Sequence, residues 1–174
     1  MHIKKLKKGF TLIELLLVII ILGILAALIS GNLINSLVKG RDARRKSDLQ
    51  NIQKAVEMYY EDNRTYPDTN TLNTAITSAG ELCYPGAGGT PDCATKVYMF
   101  KVPNDPSYNT ANSSGPKYYY TTTDATNQHY ELFSQIENTQ DKGEGVKQTG
   151  YTGFTTQCGG ICKFGVSDSG TSLP

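Results

Sequence analysis

The chain has 174 residues and 19.0 kDa, the size of one domain or one domain with an appendage. Its 17 Lys and Arg against 16 Asp and Glu leave a net charge of +1, which excludes a strongly basic nucleic-acid binder and an acidic disordered tail as descriptions of the whole chain. The 39% hydrophobic content is unevenly spread: residues 10–38 hold 21 apolar residues out of 29, so an apolar N-terminal segment is joined to a polar domain with a thin core.

Residues 1–9 form a basic leader with four Lys. Residues 10–29 are an apolar run whose one charged residue is Glu14. As a helix that run reaches about 30 Å, the hydrocarbon thickness of a bilayer. A secretory signal peptide would be shorter and end in a small-x-small cleavage site, of which Ala26-Ala27-Leu28 is a poor version. A carboxylate inside such a run costs a few kcal/mol unless it is neutral, near the headgroups or paired. A cut between Gly9 and Phe10 would create an α-amino group four residues from Glu14, its natural partner. Lys flanks the run before it and Lys and Arg follow it, so charge bias only weakly places the N-terminus inside.

Helical periodicity continues through Ile34, Leu37, Val38, Leu49, Ile52, Val56, Tyr59 and Tyr60, until Tyr66-Pro67. One helix is expected over 11–62. Residues 10–30 are its transmembrane and assembly half, and 31–62 its amphipathic half. The basic cluster at 41–46 reads as a solvated or subunit-facing surface. Contact with lipid headgroups or DNA phosphates is the rival, and nucleic acid has no other support in the sequence.

Residues 63–96 read as a helix-to-sheet loop with one Cys pair and a weak helical stretch at 72–79. Residues 97–138 read as an antiparallel sheet core, with strands at 97–102, 117–123 and 130–136, the last two forming a hairpin around Asp124-Ala125-Thr126-Asn127-Gln128. Residues 139–174, rich in Gly, Thr and Ser, read as a loop or tail with a second Cys pair and a less certain strand at 151–156 or 163–166.

Cys83 and Cys93, and Cys158 and Cys162, form two local pairs whose spacings do not match zinc knuckles. An oxidising space outside the membrane favours disulfides within each pair, although four Cys allow three pairings. No enzyme signature is present: there is no G-x-S-x-G, P-loop or H-E-x-x-H. Asp105, Asp124, Asp141 and Glu144 could be calcium ligands but lack EF-hand spacing, so no metal and no cofactor is expected. The eleven Tyr read as amphipathic core and interface residues.

Lys8-Gly9-Phe10-Thr11-Leu12-Ile13-Glu14-Leu15 resembles the prepilin signature of type IV pilins and pseudopilins. The resemblance implies cleavage after Gly9 by a prepilin peptidase, N-methylation of Phe10, and neutralisation of a neighbouring subunit's N-terminal amine by Glu14 during filament assembly. The mature chain would have 165 residues. Gly23 sits where many members have a helix Gly, and Gly31 stands where many pilins have Pro. Val102-Pro103-Asn104-Asp105-Pro106 is similar to the Pro-x-Asp-Pro turn that precedes a Tyr-rich strand in pseudopilins and short pilins, with Ser107-Tyr108 replacing the usual Trp-Gly.

The implied fold is α+β, the type IV pilin fold: a long N-terminal helix packed on a small antiparallel sheet. The implied function is a non-enzymatic structural subunit of a type IV pilus-like filament. A type II secretion pseudopilin, acting as a short piston, or a DNA-uptake pilin are the alternatives, and a membrane-anchored binding domain that never polymerises is a more distant one. The implied partners are further copies of the chain in a helical filament, the peptidase, inner-membrane assembly machinery and membrane lipid. The implied location is the inner membrane, single-pass with a cytoplasmic N-terminus, and then an extracellular filament.

Overall fold

The computed structural model describes residues 9–111, 113–168 and 172–174. Of the leader expected at residues 1–9, residues 1–8, Lys8 included, lie outside them. The elements in chain order are helices α1 (Leu12–Asn63) and α2 (Thr69–Ser78) and strands β1 (Leu82–Pro85), β2 (Pro91–Met99), β3 (Tyr119–Thr122), β4 (Tyr130–Ser134) and β5 (Phe164–Ser167), with a short 3-10 turn, Ala87–Gly89, between β1 and β2. The fold is the α+β arrangement expected: a long N-terminal helix with small antiparallel sheets. It divides into two units, one ending at Val38 and one spanning Lys39–Pro174.

The first unit is the N-terminal half of α1, continuous through Gly23 and Gly31. Its described large apolar side chains are exposed all round, from Phe10 at 85% to Leu37. Helix α1 is long and apolar enough to cross a membrane. A helix that is apolar on every side has no single face to bury in a soluble core and needs an apolar surrounding.

In the second unit α1 turns amphipathic. Leu49, Ile52, Ala55, Val56 and Tyr59 fall at i, i+3, i+4 and i+7 spacing and are buried. They meet Tyr118, Tyr120, Tyr130 and Leu132 in the main core. Most of these Tyr rings keep a wet or bonded end: Tyr130 Oη donates to Glu57 at 3.1 Å, Tyr118 Oη to Asp48 at 2.8 Å and Tyr120 Oη to the Pro67 carbonyl at 2.9 Å.

The segment 63–96, expected as a loop, is a correction. It contains α2, β1 and part of β2. Asp68 caps α2, its carboxylate accepting from the Asn70 and Thr71 N–H groups at 2.9 and 3.4 Å. Leu72, Ala75 and Ile76 are buried, so three apolar residues at helical spacing outweigh the polar composition. Ala79, at φ 51°, ends the helix in the left-handed region. Strand β1 pairs antiparallel with β2 through two irregularities, and the Cys83–Cys93 disulfide joins them.

The expected strand at 97–102 is displaced. Strand β2 ends at Met99 and belongs to a two-stranded sheet with β1, not to the sheet of the hairpin. The hairpin forms as β3 and β4, and β5 completes a three-stranded antiparallel sheet in the order β3-β4-β5. The segment 139–174, expected as loop or tail, is therefore partly sheet, and of its two candidate strands 163–166 is the one that forms. Residues 151–156 are turns, and the Cys158–Cys162 disulfide closes the short loop that follows them.

Strand β4 is buried along its whole length. Tyr130 and Leu132 belong to the main core, whereas Phe133 belongs to a second cluster with Tyr151, Cys158 and Cys162, partly covered by Tyr119, Phe154 and Leu173. The period-2 alternation of a strand assigns its residues to the two faces. The disulfide loop covers the face that α1 does not.

Candidate functional site

At the start of α1, Thr11 is the cap: its carbonyl accepts from Leu15 N–H at 3.3 Å. Thr11 N–H and Oγ1 both donate to Glu14 Oε2, at 2.9 and 2.8 Å, and Glu14 N–H donates to Thr11 Oγ1 at 3.3 Å. This is the reciprocal Thr-x-x-Glu capping box. The same box is spelled locally in the sequence as Thr11-Leu12-Ile13-Glu14. Within one copy, Glu14 is thus held by its own chain. Gly9 and Phe10 precede the helix and are exposed.

A second polar centre lies wholly within the second unit. The basic cluster at 41–46, expected as a solvated surface, is not one at its middle. Arg45 is fully buried. Its Nε lies 2.7 Å from Asp105 Oδ2 and its Nη2 3.0 Å from Asp105 Oδ1, a bidentate pair. Its Nη1 lies 2.7 Å from Asp42 Oδ1 and 2.7 Å from Glu137 Oε1. The spacing Asp42 to Arg45 places the first pair on one helix face; Asp105 and Glu137 arrive from loops far along the chain.

The network extends outward. Asp42 also accepts the Glu137 and Asn138 N–H groups at 3.1 and 2.8 Å. Arg41 clamps Glu137 with Nε at 3.0 Å and with Nη2, and Lys46 lies 2.7 Å from Asp141. Burial opposes the Arg45 charge, but the hydrogen bonds and charges of Asp105, Glu137 and Asp42 outweigh it and hold the guanidinium protonated. The bonds from Arg41, and then Arg45, pull the Glu137 carboxyl down to about 2. Burial pushes the Asp48 carboxyl up despite the bond from Tyr118.

This geometry accounts for the Pro103-Asn104-Asp105-Pro106 turn. Its Asp binds Arg45 and also accepts the Ser107 N–H at 2.8 Å, while Ser107 Oγ stands 3.4 Å from Arg45 Nη2. Ser107-Tyr108 therefore replaces the more usual residues without removing the ion pair the turn supports.

The candidate calcium ligands are each engaged elsewhere or apart. Asp105 serves Arg45, Asp141 serves Lys46, and Asp124 accepts the Thr126, Gln128 and His129 N–H groups within its own turn. Bonds from Thr126 foremost bring the Asp124 carboxyl down to about 2. Glu81, Cys83 and Cys93 are close together, but the two sulfurs are bonded to each other and offer no thiolate. His129 Nδ1 pairs with Asp168 Oδ2 at 2.9 Å.

Two family models match the chain. The prokaryotic N-terminal methylation motif matches residues 4–30, and type II secretion system protein G matches residues 32–149. Residues 150–174, which hold β5 and the Cys158–Cys162 loop, lie outside both. Among curated proteins, the chain is 37% identical over 100 residues to type II secretion system core protein G of Klebsiella pneumoniae, covering 58% of this chain and 69% of that protein. It is 41% identical over 100 residues to the Escherichia coli K12 protein of the same name, covering 58% and 66%. It is 32% identical over 105 residues to that of Pectobacterium carotovorum, covering 58% and 62%. No solved structure gives a significant match. These likenesses favour the type II secretion alternative over the pilus reading that the sequence put first.

Proposed function

This chain belongs to the type II secretion system protein G family, and on that premise we propose that it is a pseudopilin, a structural subunit that polymerises into a short filament beneath or through the envelope and moves exported proteins. The single observation that carries the reading is the protein G match over residues 32–149, directly following a methylation motif at 4–30.

On this reading a prepilin peptidase cuts between Gly9 and Phe10 and methylates the new Phe10 amine. Residues 10–30 hold the subunit in the inner membrane until assembly, with the N-terminus cytoplasmic. The exposed apolar side chains of that segment support the idea, since they bury only against lipid or sibling helices. Glu14 then exchanges its Thr11 bonds for the Phe10 amine of a neighbouring copy. Thr11 keeps the carboxylate bonded beforehand, so the subunit need not carry a bare charge in the apolar run. The amine–carboxylate pair acts as a register device, because desolvation offsets much of its Coulomb gain. Residues 31–62 carry the globular unit.

The test is deletion of this chain in its native host, followed by complementation. Loss of exoprotein secretion with unchanged surface pili, restored by the wild-type chain but not by Glu14→Ala, is expected. Undiminished secretion after deletion overturns the pseudopilin reading. N-terminal sequencing of the membrane-derived protein checks the processing step: a start at N-methyl-Phe10 is expected, and a start at Met1 contradicts it.

A further inference from the structure

Strand β5 lies at one edge of its three-stranded sheet, in the part of the chain outside both family models. Its end is fastened by side chains. The Ser167 carbonyl accepts from Gln53 Nε2 at 3.3 Å. The Asp168 carboxylate accepts the Tyr130 N–H at 3.2 Å and pairs with His129 Nδ1 at 2.9 Å. His129 closes the turn between β3 and β4, its carbonyl accepting the Thr123 N–H at 3.1 Å. One carboxylate thus joins the end of β5 to the start of β4.

That carboxylate is withdrawn from water, and so is a second one. Asp168 and Glu131 are both buried, and Glu131 faces Ser167, the neighbour of Asp168, across the β4–β5 ladder. Burial first, and then the Asp168 charge, pushes the Glu131 carboxyl up. Two buried acids so close together need a cation. Glu131 has no ion pair among the described residues, and Asp168 pairs with His129. The other groups that sense the Asp168 charge, the Tyr66 and Tyr120 hydroxyls of the main core, are neutral. On its far side His129 meets one more acid, Asp124, which accepts the His129 N–H at 3.0 Å.

We propose that His129 is the catch of a pH-sensitive strap: charged, it clamps the end of β5 against β4, and neutral, it lets that end open. The device does not depend on whether the chain polymerises. His129 is 45% exposed, so protons of the surrounding solution reach it directly. A neutral imidazole can still donate Nδ1–H to Asp168, so what deprotonation removes is the counter-charge of two buried acids. The bond to Asp168 foremost, with the charges of Asp168 and Asp124, raises the imidazole above its ordinary value of 6.5 against desolvation. The folded value lies above the unfolded one. The clamp is therefore fully present below pH 6.5 and is lost as pH rises through the folded value. Opening also loosens the cover that Leu173, beyond β5, gives the second apolar cluster.

The experiment is amide hydrogen exchange of the full-length chain in detergent micelles, on either side of the histidine range, at about pH 5.5 and about pH 8.5. It is read as protection factors, which remove the intrinsic pH dependence of exchange, and β3 serves as the internal reference. Protection of the β5 amides is expected to fall by up to about fivefold at the higher pH, what a half-exposed ion pair is worth, while β3 stays unchanged. His129→Gln, a change at a half-exposed site, is expected to hold β5 at the lower protection at both pH values. Asp168→Asn keeps an oxygen for the Tyr130 N–H, removes the charge and is expected to abolish the pH dependence as well. Equal β5 protection at the two pH values in the wild type overturns the strap. So does an undiminished fall in His129→Gln, which would assign the titration to another group. An equal fall in β3 and β5 also overturns it, since the loss would then be global and not an opening of one strand.

Discussion

Arg45 and Asp105 stand sixty residues apart in the chain and meet as a bidentate pair at 2.7 and 3.0 Å, both withdrawn from solvent. The pair ties the amphipathic half of α1 to the turn that follows β2. Removing one partner leaves an uncompensated buried charge, which typically costs about 3–5 kcal/mol. Asp105→Ala is expected to destabilise the protein by about that amount in denaturant unfolding. Arg45→Met, which strands Asp105 and Asp42, is expected to be similarly severe. Arg45→Met combined with Asp105→Leu is expected to recover part of the loss, and additive losses in that double variant would show that the pair is not coupled.

The Glu137 carboxyl is held down to about 2, first by Arg41 and then by Arg45. Its folded-state value lies below its ordinary value of 4.5, so its stabilising contribution is present above pH 4.5 and is lost as pH falls toward 2. Unfolding measured across that window is expected to fall less steeply in Glu137→Gln than in the wild type. Identical slopes would remove Glu137 from the network's energetics.

The two disulfides span 10 and 4 residues in sequence. In the chain-entropy account they contribute about 3 and about 2 kcal/mol. Replacing Cys83 and Cys93 by Ser is expected to loosen the β1–β2 pair. Replacing Cys158 and Cys162 by Ala is expected to uncover Phe133 and Tyr151, whose cluster both Cys complete. Hydrogen exchange should localise the second effect to β4 and β5, and protection unchanged there would contradict it.

Phe133 is fully buried on the sheet face opposite the main core, with Tyr151 and Phe154 rings 5.0 and 4.4 Å away. Phe133→Ala is expected to cost about 3–5 kcal/mol, read as a lowered unfolding midpoint. A loss near 1 kcal/mol would mean that the C-terminal loop collapses onto the vacancy.

Much of the fold is legible in the residues themselves. The long helix follows from a continuous apolar run that passes into a 3.6-residue periodicity from Ile34 on, and its ends fall within one residue of those expected. The β3–β4 hairpin follows from two Tyr-rich runs around a polar turn. The capping box at Thr11 and Glu14 was equally local and equally readable. Helix α2 is half visible: its apolar spacing is plain, while its Asp68 cap lies ahead of the expected stretch at 72–79.

Three things were not legible, each for a nonlocal reason. Strand β1 is four residues long and carries no alternation of its own; its pairing with β2 defines it. Strand β5 is equally short: the sequence offers 163–166 and 151–156 as rival strands, and only pairing with β4 decides between them. The basic run at 41–46 looks like a solvated face, because sequence spacing shows Asp42 beside Arg45 and cannot show Asp105 and Glu137 arriving from loops. Local pattern alone determined where the apolar helix begins, where it turns amphipathic and which segments cap or turn, since those depend on residues within a few positions. Which carboxylates neutralise Arg45, which strands complete the sheets and which apolar side chains are left outward were decided by tertiary structure, since each depends on groups that meet only when the chain closes long loops.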